Sequence, residues 1–113
     1  MSLLKAAKEI FPGVYCGAQL CRKDVALLAK AGIATIICNR PDYEDEEQTC
    51  FAEIQLEATK QGIKAISIPF TASNLHPEHI EEMKKALEIS KKPIFAYCRS
   101  GGRVVKICSM FTL

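Results

Sequence analysis

One stretch of the chain gathers residue types that together perform chemistry. It is Cys98-Arg99-Ser100-Gly101-Gly102-Arg103, directly after the apolar run Pro93-Ile94-Phe95-Ala96-Tyr97. Two glycines allow a tight turn that points several backbone N–H groups inward, and such a nest binds an anion. The pattern from Val104 to Phe111 predicts a helix starting at the loop, which places the positive end of a helix dipole at the same point. Arg103 offers a planar fork to two oxygens of a tetrahedral anion. A cysteine in that field is favoured as its thiolate, the nucleophilic form. Cys98 and Arg103 are the expected catalytic pair, and Arg99, Ser100, Gly101 and Gly102 the expected substrate-binding loop.

The rest of the chain must position this loop. Gly13 to Ala18 reads as a strand after a Phe11-Pro12-Gly13 turn. A helix is expected from Lys23 to Ala31, with Val25, Leu27, Leu28 and Ala31 as its apolar face and Gly32 as its stop. Ile33 to Cys38 is a continuous apolar, β-branched run, the signature of a strand covered on both faces. A helix from about Glu47 to Gln61 follows, with Phe51, Ile54, Leu56 and Ala58 inward, then a strand from Lys64 to Pro69. Pro77 opens a helix to about Ser90, with Ile80, Met83, Ala86, Leu87 and Ile89 facing the core. The run from Pro93 to Tyr97 is the last strand. Such alternation predicts a single α/β domain over residues 1–113, with a mostly parallel central sheet of about four strands flanked by helices. In such sheets ligands bind beyond the carboxyl ends of the strands, where both Cys98 and the turn Asn39-Arg40-Pro41-Asp42 fall.

Composition narrows the function. The chain has 113 residues, is 49% hydrophobic and carries a formal net charge of +2. That balance is too mild to imply nucleic acid or a membrane surface, so an anionic substrate must be attracted locally. No apolar run reaches the ~20 residues of a transmembrane helix, and Met1 to Ile10 lacks a signal peptide's apolar stretch, so a cytoplasmic location is expected. Six cysteines stand at positions 16, 21, 38, 50, 98 and 108 without any Cys-x-x-Cys pair. His76 and His79 lie far from any cysteine pair, so no metal or other cofactor is expected. The cysteines other than Cys98 read as small buried hydrophobes.

The second loop is less specific. Asp42 is the nearest acid that could serve as proton donor, or it is simply a turn residue after Pro41. Arg40 either adds charge to the anion site or pairs with the acidic run beside it. Glu44 to Glu47 read as a solvated helix start. His76 and His79 read as a loop residue and an exposed helical residue. Gln19 has no evident role.

Taken in order, Gly17-Ala18-Gln19-Leu20, Asn39-Arg40-Pro41-Asp42, Ile68-Pro69 and Cys98-Arg99-Ser100-Gly101-Gly102-Arg103 resemble the β-lactamase-hydrolase-like family. This is a small bacterial domain with a protein-tyrosine-phosphatase-like fold, and the likeness runs from about Phe11 to Arg103. It implies a cysteine nucleophile at Cys98, an oxyanion-binding arginine at Arg103 and a small anionic or phosphorylated substrate. Members are described as candidate phosphatases and sometimes as sulfurtransferases.

Several positions depart from a typical tyrosine phosphatase. Only the four residues Arg99 to Gly102 separate Cys98 from Arg103, one fewer than usual, and this spacing is similar to that of rhodaneses. Tyr97 stands where a histidine is common, Val104 where a hydroxyl residue is, and Ile68 to Thr71 where a general-acid aspartate is. Three readings stay open: a cysteine-dependent phosphatase with Asp42 as acid, a rhodanese-like sulfurtransferase carrying a persulfide on Cys98, and an anion-binding module without catalysis. The tail Val104 to Leu113 is unlike the family's usual continuation, which fits a truncated or altered C-terminus, or an apolar end covered in a dimer. Nothing in the sequence fixes the oligomeric state.

Overall fold

A computed structural model describes residues 6–113. Its strands are β1 (Lys8–Phe11), β2 (Val14–Gly17), β3 (Thr35–Cys38), β4 (Lys64–Ser67) and β5 (Ile94–Tyr97). Its helices are α1 (Arg22–Lys30), α2 (Phe51–Lys60), α3 (Pro77–Ile89) and α4 (Gly102–Cys108). The five strands form one sheet in the order β1-β2-β5-β3-β4. The pairs β2–β5, β5–β3 and β3–β4 are parallel, and β1 pairs antiparallel with β2.

The strand β1 is an addition to the expected four. It has four residues, two of them the charged Lys8 and Glu9, and no clean alternation. Only its hairpin partner defines it, through a turn in which Gly13 has φ +77° and donates its N–H to the Glu9 carboxylate. Every residue of β3 and of β5 is buried, as expected of strands covered on both faces.

The core lies in two layers. On one face Val25 and Leu28 of α1 and Ile54 and Ala58 of α2 pack on Ile36, Cys38, Phe95 and Tyr97. On the other, Met83, Ala86 and Leu87 of α3 and Val104, Ile107 and Cys108 of α4 pack on Val14, Cys16, Ile37, Ile94 and Ala96. Burying a side chain such as Leu28 or Leu87 stabilises the fold by about 1.5–3 kcal/mol. Four residues expected inward point out: Leu27, Ala31, Leu56 and Ile89 are exposed. For Leu56 the reason is the helical period, since Ile54 and Ala58 already define a buried stripe from which it is turned away.

Strand register is what builds the site. Gly17 of β2 pairs with Tyr97 of β5, and Tyr97 pairs with Cys38 of β3. Three neighbouring parallel strands therefore end level, and the loops starting at Ala18, Asn39 and Cys98 leave the sheet side by side. They stay tied beyond it: Asn39 donates its N–H to the Tyr97 carbonyl at 2.8 Å, and Gln19 donates its N–H to the Arg99 carbonyl at 3.2 Å.

The helix α2 starts four residues later than the sequence pattern suggests. The Asp42 carboxylate accepts the Phe51 N–H at 2.8 Å, so a residue nine positions upstream helps hold the first turn. Glu44 to Glu47 consequently lie in an irregular loop, not in a helix start. No helix among the described residues is long and apolar enough to cross a membrane.

Candidate active site

The Cys98–Arg103 loop takes the shape its residues allow. Gly101 has φ +98°, a left-handed conformation strained for residues with a Cβ, and it caps α4. That turn aims the Gly101 N–H at the Cys98 sulfur, 3.0 Å away. A Cβ on Gly101 would also sit 3.5 Å from the Gly17 carbonyl oxygen, so this loop packs against the end of β2. Gly17 must itself be bare, because a Cβ there would lie 2.7 Å from the tip of the Phe95 ring. Cys98 is 1% exposed and forms the floor of the loop, while Arg99, Ser100 and Gly102 are exposed around it.

Arg103 lies in the first turn of α4. Its Nη1 and Nη2 donate to Glu44 Oε2 and Oε1 at 2.9 and 2.6 Å, a two-pronged bond, and Nη1 also reaches the Phe70 carbonyl at 3.3 Å. The Nε edge of the guanidinium has no hydrogen-bond partner among the described residues. The negative charge a Cys98 thiolate would carry raises Arg103's affinity for its proton, after the larger contribution of Glu44. Glu44 is held well below the usual carboxylate range, first by Arg103 and then by Arg40.

Arg40 is 4% exposed, unusual for an arginine. Its Nε donates to Glu44 Oε1 at 2.9 Å and its Nη1 to Gln19 Oε1 at 3.0 Å. Of the two roles the sequence left open for Arg40, the geometry shows pairing with the acidic run. Asp42, half-buried, has one oxygen on the Phe51 N–H. Glu44, read from sequence as solvated, instead joins two arginines from different loops, and this corrects the earlier expectation. The available signal was an acid four residues after Arg40, but nothing local ties it to Arg103. Gln19 was the other unassigned participant.

Other groups near the loop are less suited to chemistry. Burial pushes the Cys16, Cys38 and Cys108 thiols up, Cys108 to about 12. All six cysteines are free thiols, and two of those expected to be buried are not: Cys21 is exposed and Cys50 half-buried. Tyr97 is fully buried, its hydroxyl has no hydrogen-bond partner among the described residues, and burial pushes its phenol up. His79 is half-buried, with its ring beside Phe70 and its Nδ1 accepting the His76 N–H at 3.0 Å. It caps α3, so its position has a structural cause. No group of three or more His, Cys, Asp or Glu side chains among the described residues is placed to hold a metal ion.

The domain that carries this loop has counterparts among known proteins. The model of the β-lactamase hydrolase-like protein's phosphatase-like domain matches residues 8–112. The chain belongs to this family. Among solved structures, a candidate phosphatase of Neisseria meningitidis is 32% identical with a TM-score of 0.82, over 95% of this chain and 73% of that one. A candidate phosphatase of Shewanella putrefaciens is 18% identical with a TM-score of 0.79, over 93% of this chain and 68% of that one. TpbA of P. aeruginosa, solved with phosphotyrosine, is 17% identical with a TM-score of 0.70, over 92% of this chain and 60% of that one. The last two likenesses carry the fold alone. Among curated proteins none matches in sequence. As a member of the family, the chain is a phosphatase-like α/β domain whose Cys98–Arg103 loop occupies the carboxyl edge of the sheet.

Proposed function

We propose that the protein hydrolyses a phosphate ester through Cys98. The observation that carries this reading is the Gly101 N–H held 3.0 Å from the Cys98 sulfur, in a loop that also brings in Arg103. That N–H points at the sulfur atom which the proposed reaction uses as its nucleophile. In the reaction the Cys98 sulfur attacks phosphorus, the ester P–O bond breaks, and the leaving oxygen takes a proton. Water then attacks the phosphocysteine and gives up a proton to the Asp42 carboxylate left by the first step; the S–P bond breaks, phosphate is released and the thiolate is regenerated. Arg103 is suited to the equatorial oxygens through its Nε edge. Backbone N–H groups from Arg99 to Gly102 supply further donors.

Asp42 is the proposed proton donor. The loop from Pro69 to His76 contains no acid, and Glu44 is held as a carboxylate by two arginines. The second Asp42 oxygen is left over from its bond to Phe51. Arg40 acts on the site through Glu44 and not by touching substrate. The expected substrate is a small phosphorylated molecule or a phosphorylated side chain. TpbA's complex with phosphotyrosine supports that class.

One observation favours a second reading, sulfur transfer: the short, four-residue interval between Cys98 and Arg103. The two are separated by assaying nitrophenyl phosphate hydrolysis beside thiosulfate-to-cyanide sulfur transfer on the same preparation. Phosphate release that disappears in Cys98→Ser supports the hydrolase. Cyanide turnover without phosphate release overturns it.

A further inference from the structure

We propose that Gln19 is a positioning residue that sets the orientation of Arg103 through Arg40 and Glu44; this rests on the anion-binding role given above to the Cys98–Arg103 loop. Gln19 leaves the sheet at the end of β2, level with that loop. Its backbone N–H holds the Arg99 carbonyl at 3.2 Å. Its side chain uses both ends: Nε2 donates to the carbonyls of Leu20 at 2.9 Å and Thr49 at 3.3 Å, and Oε1 accepts Arg40 Nη1 at 3.0 Å. The amide cannot be reversed, because its NH2 would then face a guanidinium and its oxygen two carbonyls.

The bonds continue from there without a gap. Arg40 donates its Nε to Glu44 Oε1, and that same oxygen accepts Arg103 Nη2. The path thus starts at Arg99 in the anion loop, passes through Gln19, Arg40 and Glu44, and returns to the loop at Arg103. Arg40 is buried, so it cannot replace a lost partner with bulk water at little cost. Remove the Gln19 oxygen, and Arg40 draws on Glu44 alone. Glu44 Oε1 then shifts from Arg103 towards Arg40, and the Arg103 fork loses the support that fixes its direction. A rotated guanidinium presents its Nε edge away from the oxyanion.

The test is a double-mutant cycle read by calorimetric titration with inorganic phosphate, with the Tm recorded for each protein. The expected result is that Gln19→Met weakens phosphate binding by about tenfold, the loss of one hydrogen bond to a charged group. In the Glu44→Ala background, where both carboxylate oxygens are gone and the path is cut, the same substitution is expected to change phosphate affinity less than about twofold, while any loss of Tm persists. Unchanged affinity in Gln19→Met, or an equal loss in both backgrounds, overturns the proposal. Should Gln19→Met fail to fold, Gln19→Asn keeps the amide but falls one methylene short of Arg40, and the same pair of results is expected from it. No phosphate binding by the unaltered protein is a different failure: it overturns the proposed function and this role with it.

Discussion

The two loops that meet at Arg103 and Glu44 hold charge in opposite ways. After β5, the Cys98–Arg103 loop relies on backbone: a left-handed glycine and an N–H aimed at sulfur, with Arg103 closing a run of six consecutive residues. After β3, residues 39–50 rely on side chains that reach far along the sequence. Glu44 finds Arg103 fifty-nine residues away, and Arg40 finds Gln19 at a distance of twenty-one. In the proposed reaction the first loop supplies the nucleophile, and the second supplies the proton donor and the carboxylate that holds Arg103. A backbone-built turn tolerates few substitutions at its glycines, whereas the members of a side-chain network depend on one another, so that single deletions are not additive.

The largest effect should come from the first loop. Cys98→Ser is expected to lower nitrophenyl phosphate turnover by at least about a thousandfold, as removal of a covalent nucleophile does. Cys21→Ser, at an exposed thiol outside the site, should leave the rate unchanged. Equal rates for all three proteins would remove the distinction between Cys98 and its fellow thiols.

Asp42→Asn comes next and tests whether the second loop also takes part in the chemistry. Alkyl phosphate hydrolysis is expected to slow by about a hundredfold, the scale of general-acid loss. Nitrophenyl phosphate should slow much less, because its leaving group needs little protonation. Equal slowing of both substrates would leave Asp42 only its contact with the Phe51 N–H.

Arg103→Lys keeps the charge and removes the fork. Phosphate affinity is expected to fall by about tenfold or more, equivalent to ~1.5 kcal/mol. Isothermal titration checks this, and unchanged affinity would mean that charge alone suffices.

The smallest effect is the contribution of Glu44 to stability. Its folded-state affinity for a proton is depressed by Arg103 and Arg40, from an ordinary value of 4.5. The stabilisation is therefore present in full above that value and lost as pH falls through the lower, folded one. With the partners partly exposed, the contribution should stay within about 1 kcal/mol. The Tm difference between the parent and Glu44→Gln should be present at pH 7 and should narrow as the pH drops below 4.5. A difference independent of pH would mean that the carboxylate's charge has no part in it.

These contrasts also explain what the sequence made legible. The strand–helix alternation, the buried character of β3 and β5 and the whole of the Cys98–Arg103 loop are properties of consecutive residues. The strand β1 escaped notice because its four residues lack a pattern of their own and pair only through the Gly13 turn. The acidic residues at 44–47 fit a helix start, but α2 begins at Phe51, whose N–H is held by Asp42 from outside the helix. Glu44 and Gln19 were invisible as site residues for the same reason: their partners are chosen by strand register, which brings the ends of β2, β3 and β5 level.

The most direct test of the central claim is to mix the protein with nitrophenyl phosphate, quench in acid within the first turnovers and read the Cys98 peptide by mass spectrometry. The account predicts one phosphoryl group on the Cys98 sulfur, absent from Cys98→Ser and from the peptides carrying Cys16, Cys38 and Cys108. An unmodified Cys98 under turnover, or a peptide that gains only a sulfur atom after thiosulfate treatment of a protein inert to phosphate esters, would contradict it.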